Sequence, residues 1–276
     1  METFDAEWLA LREPIDHRSR AEPLLAPLVA AWHTRGWSRV LDLGSGSGSN
    51  LRYLARRLPS AQQWVLVDHD LEHLRTAGRG DLPATVQDLS LVRGDLAEEG
   101  LSAIGRVDLV TASALLDLVS EHWVSRLVAA CVESGRGAHF ALSYDGIVRW
   151  SVGEECAGTG DPDDALVLEA VNVHQTLDKG LGPALGPAAG QVTERWFRTA
   201  GYQTWLLPSP WRLGAADASV VHRLINGWET AAAGVRPGAA DRIHAWADRR
   251  REIVAGIPFT LTVGHGDLLA LPPERS

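Results

Sequence analysis

The chain has 276 residues, 45% of them hydrophobic and 22% charged, an ordinary balance for a globular protein that can bury a sizeable core. A formal net charge of −9 argues against a nucleic-acid substrate, because phosphate backbones demand a basic face, and no apolar run approaches the length of a membrane span. The acidic start, Met1-Glu2-Thr3-Phe4-Asp5, lacks the regions of a signal peptide, and Cys131 and Cys156 have no metal spacing, so a reduced, cytoplasmic setting without a bound metal is expected. Residues 5–35 read as helices. Glu22-Pro23 opens one of them, Leu24, Leu25, Leu28, Val29 and Trp32 form its apolar face, and Gly36 ends it. Residues 38–43 then read as a strand and 49–58 as a helix, joined by Gly44-Ser45-Gly46-Ser47-Gly48. Alternate glycines permit positive φ and close approach of a ligand, and the helix start aims free N–H groups at it. That is a nucleotide-type cofactor site. Asp42, two residues before the first glycine, opposes a pyrophosphate but can pair with a cationic amino group.

Asp42-Leu43-Gly44-Ser45-Gly46-Ser47-Gly48 resembles motif I of the class I S-adenosylmethionine (SAM)-dependent methyltransferases. The resemblance implies SAM as cofactor, with Asp42, Gly44, Ser45, Gly46 and Gly48 around its amino-acid end. It also implies N-terminal helices lying over the cofactor. An NAD(P)-dependent oxidoreductase on the same kind of sheet is one rival, against which GxGxG rather than GxGxxG speaks. A non-catalytic SAM-binding protein is another.

The second strand, 63–68, is apolar enough to be buried on both faces and ends at Asp68, with His69 beside it. A carboxylate there can accept both ribose hydroxyls, as in the resembled family, or cap the next helix. His69 and His73 share an i, i+4 spacing but lack a third metal ligand. Residues 91–96 read as strand three. By resemblance Asp95 meets the adenine amino group and Leu96 packs on the ring, with Asp88-Leu89 as a competing register. Strand four, 107–113, ends at Ser113. The resemblance puts the reacting methyl near this end, so Ser113 borders the cofactor and Asp117 the acceptor. A helix over 120–133 and strand five over 138–143 follow, leaving Tyr144 and Asp145 on the acceptor side. Sustained β–α alternation from 38 to 145 predicts a doubly wound parallel sheet.

Beyond 146 the pattern loosens. Residues 152–165 read as a loop, 165–180 as a helix and 181–190 as a turn-rich stretch. On a helix His174 would share a face with Asp178, and Gln175 with Lys179, the single lysine among 26 basic residues. His174 is the candidate general base, while Gln175, Lys179 and Trp211 are candidate acceptor contacts. His265, in an expected turn between Gly264 and Gly266, is a second base candidate. A helix over 191–199, a strand over 201–207, helices over 216–233 and 238–254, and a last strand over 259–263 complete the chain.

The expected fold is therefore α/β: a doubly wound, mostly parallel seven-stranded sheet with an antiparallel last strand. It carries N-terminal helices (1–36) and a helical insertion before the last strand (212–257). One domain spans 1–276, with a SAM-binding core at 37–145 and an acceptor-side segment at 146–200. The expected activity is methyl transfer to a small molecule, at oxygen ahead of nitrogen or carbon. By the resemblance, a small acceptor is favoured because strand four is followed by no Asn-Pro-Pro-Tyr or Asp-Pro-Pro-Tyr stretch of the amino-methylating nucleic-acid enzymes and no catalytic cysteine lies in a matching loop. No nucleic-acid or membrane partner is expected, and a homodimer stays open.

Overall fold

A computed structural model describes residues 5–153 and 160–274, so Met1 to Phe4 and Cys156 lie outside the described residues. The N-terminal helices are α1 (Ala6–Ser19) and α2 (Leu25–Thr34). Asp5 starts α1 by accepting the Trp8 N–H at 2.7 Å, which satisfies one of the orphan donors of a first turn. The sheet half follows as β1 (Arg39–Leu43), α3 (Ser49–Ala55), β2 (Gln62–Asp68), α4 (Leu71–Gly78), β3 (Val86–Arg93), the single turn α5 (Leu101–Ala103), β4 (Leu109–Ser113), α6 (Glu121–Ser134) and β5 (Gly137–Val152). The remainder is α7 (Asp164–Gln175), α8 (Ala189–Thr199), β6 (Gln203–Pro208), β7 (Trp211–Leu213), α9 (Ala218–Val235), α10 (Ala240–Gly256) and β8 (Phe259–Leu271).

Strand order is β3-β2-β1-β4-β5-β8-β6, with β7 paired to β8 off that path. Strands β1 to β5 run parallel, and β8 is antiparallel to β5, β6 and β7. The seven expected strands are thus present, with a short eighth at the margin. Order reverses between β1 and β4, where Leu43 lies opposite Ala112. At such a switch point the two following loops diverge and leave a crevice at the strand C-termini. Leu41, Leu43, Val110 and Phe140 fill one face of the sheet against Trp123, Leu127 and Phe197. Val40, Trp64, Leu66 and Leu109 fill the other against Leu28, Trp32, Leu51 and Leu74.

Strand β3 covers Asp88-Leu89 and ends at Arg93 instead of spanning 91–96, and three further elements depart from the sequence expectation. Strand β5 does not stop at 143 but runs to Val152, because β8 supplies a ladder partner along its length, Trp150 opposite Leu261 among others. β8 likewise runs through the expected turn at Gly264-His265-Gly266. Gly264 serves close approach there rather than a turn, since a Cβ would lie 2.1 Å from the Asp145 carboxyl. Finally, α7 ends at Gln175, because the Asp178 carboxyl accepts the Gly180 and Gly182 N–H groups at 2.7 and 3.1 Å and builds a turn. The long β5–β8 ribbon carries α7, α9 and α10 above the crevice. Ile15, Tyr144, Trp211, Val221, Ile225 and Trp246 form a separate core there. Arg249 grips Asp161 at 2.6 and 2.7 Å and so ties α10 to the start of α7.

Candidate active site

The crevice begins at Asp42, the fourth residue of β1 and fully buried. Its Oδ1 accepts Asn50 Nδ2 at 2.7 Å and Thr111 Oγ1 at 2.8 Å. Its Oδ2 is buried without a hydrogen-bond partner. Burial pushes this carboxyl up to about 6, against the opposing hydrogen bonds from Asn50 and Thr111. An orphaned carboxylate oxygen in a crevice lacks a cation or donor, and an ammonium would supply both.

The loop beyond it takes positive φ at Gly44, Gly46 and Gly48 (61°, 50° and 84°). A Cβ on Gly48 would stand 2.8 Å from that of Ala77, so both the turn and its packing require glycine. Asp68, at the end of β2, fastens the loop: Oδ2 accepts the Gly46 N–H at 2.8 Å and Oδ1 the Asp70 N–H at 2.9 Å. His69 Nδ1 lies 3.3 Å from Asp68 Oδ1. Helix α4 is capped by Asp70, not Asp68. Ser45, His69, Leu96 and Ser113 join Asp42, Gly44, Gly46 and Asp68 in lining this cleft of about 100 Å³. Asp95 stands at the rim, exposed, with its carboxyl accepting the Ala97 N–H at 2.6 Å, so of that pair only Leu96 walls the cleft. Among the described residues no cluster suits a metal ion.

A second cavity, of about 450 Å³, adjoins the cleft. The two share Arg12, Ala114 and Leu118 as wall residues. Ala114, just past the end of β4, and Leu142, at an irregularity within β5, are non-glycine residues at positive φ (51° and 55°), the kind of stored strain that gathers at functional sites. Asp117, Tyr144, His174, Gln175, Lys179, Trp211 and His265 all wall the cavity. Asp145 does not: one residue on from Tyr144 along the strand, it faces the other side, where its carboxyl accepts the Ile147 N–H. The expected pairing of His174 with Asp178 and of Gln175 with Lys179 on one helix face is also absent, since α7 stops first. Lys179 instead folds back until its Nζ lies 3.4 Å from His174 Nδ1.

His265 is enclosed by Trp211 and Tyr144, with ring centroids 5.1 and 6.2 Å away. Its Nδ1 sits 3.1 Å from the Val263 carbonyl, which can only accept, so Nδ1 carries the proton and Nε2 is left as an acceptor. Burial, reinforced by the Arg12 charge, holds this imidazole down to about 3, so it is neutral at ordinary pH. Tyr144 donates to Asn172 at 2.9 Å, and burial raises its hydroxyl above the ordinary range.

The resemblance puts N-terminal helices over the cofactor without naming the α1 side chains that face both spaces. Leu9, Arg12 and Asp16 recur at helical spacing and line the cleft, while Trp8 and Arg12 line the cavity. Asp16 receives Arg12 Nε at 2.9 Å and Trp211 Nε1 at 3.1 Å, which fixes Arg12 over the Trp211 ring. Asn50 and Thr111 were also unread, although Asn50 closes the glycine run. Beneath them lies a buried chain of groups. Arg20 donates to Asn50 Oδ1 at 3.0 Å and lies 3.4 Å from Asp267, which accepts the Ala21 and Leu142 N–H groups at 2.9 and 2.8 Å.

The family model described as a methyltransferase domain matches residues 40–135. No curated protein matches the sequence significantly. Among solved structures, a cyclopropane-fatty-acyl-phospholipid synthase-like protein from Lactobacillus casei is similar at 14% identity and a TM-score of 0.52, covering 94% of this chain and 91% of that one. A SAM-dependent methyltransferase from Thiobacillus denitrificans, in complex with S-adenosyl-L-homocysteine, has 15% identity, a TM-score of 0.44 and coverage of 99% and 100%. A phosphoethanolamine N-methyltransferase from Haemonchus contortus has 15% identity and a TM-score of 0.39 over 86% of this chain, which spans about half (49%) of that enzyme. At these identities the structural likeness speaks to the fold alone. SAM suits the residues present: the orphaned Asp42 oxygen awaits a cation, the glycine turn admits close approach, and Asp68 stands at the neighbouring strand end. The methyltransferase-domain match over residues 40–135 falls on the same loop and strands that build this cleft, and SAM is the cofactor that fits it.

Proposed function

We propose that the protein transfers the methyl group of SAM to a small-molecule acceptor held in the 450 Å³ cavity, with oxygen as the methylated atom. The observation that carries this reading is the shared wall of Arg12, Ala114 and Leu118, which sets the acceptor space directly against the cofactor cleft. In-line attack on a sulfonium methyl needs contact and alignment above all. Asp42 and the Gly44–Gly48 loop would hold the methionine moiety, Asp68 the ribose, and Leu96 the adenine face. When bound, SAM supplies an electrophilic methyl group. The chain aligns the acceptor against it and keeps water out with Trp8, Tyr144 and Trp211. His174 is the proposed base for an acceptor hydroxyl, and neutral His265 offers Nε2 to orient its proton. In this reading residues 1–276 form one catalytic unit, 37–145 serving the cofactor and 146–200 with 212–257 serving the acceptor.

Isotope-labelled SAM incubated with a metabolite extract tests the proposal. The expected product is a labelled small molecule whose methyl carbon resonates in the O-methyl range. A methyl on nitrogen or carbon would correct the atom. Persistent absence of labelled product despite tight SAM binding would support a binding protein instead, and tight NAD binding without SAM binding would overturn the cofactor.

A further inference from the structure

Trp228 and Val171 wall two spaces at once. On one side is the acceptor cavity, and on the other is a smaller pocket of about 90 Å³. Val148 and Trp150 of β5, Leu168 of α7 and Trp246 of α10 close the smaller pocket. Its one acidic wall residue, Asp164, is already engaged, accepting Trp246 Nε1 at 2.8 Å and pairing with Arg250. The Arg250 guanidinium in turn lies 4.7 Å from the centre of the Trp150 ring. The pocket therefore offers a guest hydrocarbon and ring faces, and burying a charge there would go uncompensated. Every wall residue comes from beyond residue 146, where the chain leaves the alternating β–α pattern.

We infer that this pocket is a second acceptor subsite, which takes the short hydrocarbon end of an elongated acceptor. The inference rests on the acceptor-cavity reading above. The reacting group would lie beside Ala114 and Leu118, the body between the aromatic walls, and the far arm past Trp228. Size bounds that arm. An apolar void of about 150 Å³ accepts benzene, so a pocket of about 90 Å³ takes about four carbons. The acceptor class is thus an uncharged-ended amphiphile with a polar reacting head and a short alkyl terminus.

A homologous series tests it. 4-Alkylphenols, from methyl to octyl, are titrated by calorimetry into protein saturated with S-adenosylhomocysteine. Affinity should rise about fourfold per methylene as the arm fills the pocket, then level off. Val148→Phe and Leu168→Trp reduce the pocket from different elements. In each, the plateau should arrive about two to four carbons earlier, with affinity for 4-methylphenol and for S-adenosylhomocysteine unchanged. Identical chain-length profiles in wild type and both variants would overturn the subsite. So would the failure of every homologue to bind while S-adenosylhomocysteine binds normally. Failure of S-adenosylhomocysteine itself to bind would instead strike at the cofactor reading.

Discussion

The two oxygens of Asp42 have opposite surroundings, and that asymmetry makes the residue testable. Its pKa is raised by burial to about 6 in the cofactor-free fold. A raised acid favours its protonated form, so its contribution to stability is full below the unfolded value near 3.9 and is lost as pH rises through about 6. An ammonium placed against Oδ2 reverses that preference. Binding of SAM should then release a proton below about pH 6, and its Kd should fall by up to about tenfold per pH unit before levelling off above that pH. Calorimetry in buffers of different ionisation enthalpy reads both effects. Asp42→Asn should flatten the profile and weaken binding by about 1–3 kcal/mol, and Asp68→Ala should weaken it by a similar amount. A flat wild-type profile would remove Asp42 from the cofactor. The position of this acid was legible because glycine turns advertise themselves in sequence. Its partners were not: Asn50 and Thr111 reach it across 8 and 69 residues, distances that no local pattern encodes.

Among the elements, β8 shows what periodicity conceals. Glycines at 264 and 266 signal a turn, yet both belong to a continuous strand because neighbouring side chains fill the space a Cβ would take. Reading a turn there hid the role of Asp267. That carboxyl, 1% exposed, joins the α1–α2 corner at Ala21, the strained irregularity within β5 at Leu142 and the β6–β7 link at Ser209. Asp267→Ala would leave the Arg20 guanidinium buried against no carboxylate, together with two unsatisfied backbone donors. The expected loss is about 3–5 kcal/mol by urea unfolding. Asp267→Asn keeps hydrogen-bonding capacity and should lose less. A loss under about 1 kcal/mol in the alanine variant would show that the network does not anchor these elements. Helix α7 has the opposite history. Its apolar spacing was legible, but its end was not, because the carboxyl of Asp178 serves the backbone of a turn rather than a helix face.

Across the whole molecule, the strands up to β5 were readable, and the part beyond residue 146 was readable only in outline. Buried parallel strands give apolar runs with short connections, and that signal is strong in sequence. The β5–β8 ribbon pairs strands more than a hundred residues apart, a contact that no local pattern encodes. The cavity of about 450 Å³ depends on still longer juxtapositions, such as Trp8 of α1 against Trp211, with ring centroids 6.3 Å apart.

Helix α1 walls both spaces, and the consequence concerns time. It is pinned to the glycine loop by His17 at 3.0 Å from the Ser49 carbonyl, and by Glu13 on Arg52, which also donates to the Ser47 carbonyl. Because α1 lines one side of the cleft, its retreat would widen the path for a ligand as large as SAM. Product departure should therefore be slower than methyl transfer. Rapid-quench measurement with labelled SAM should show a burst of one methyl per site followed by a slower steady rate. Leu9→Ala, which trims the side chain over Gly46, should quicken the steady phase and leave the burst unchanged. Progress that is linear from the first turnover would place the slow step in the chemistry instead.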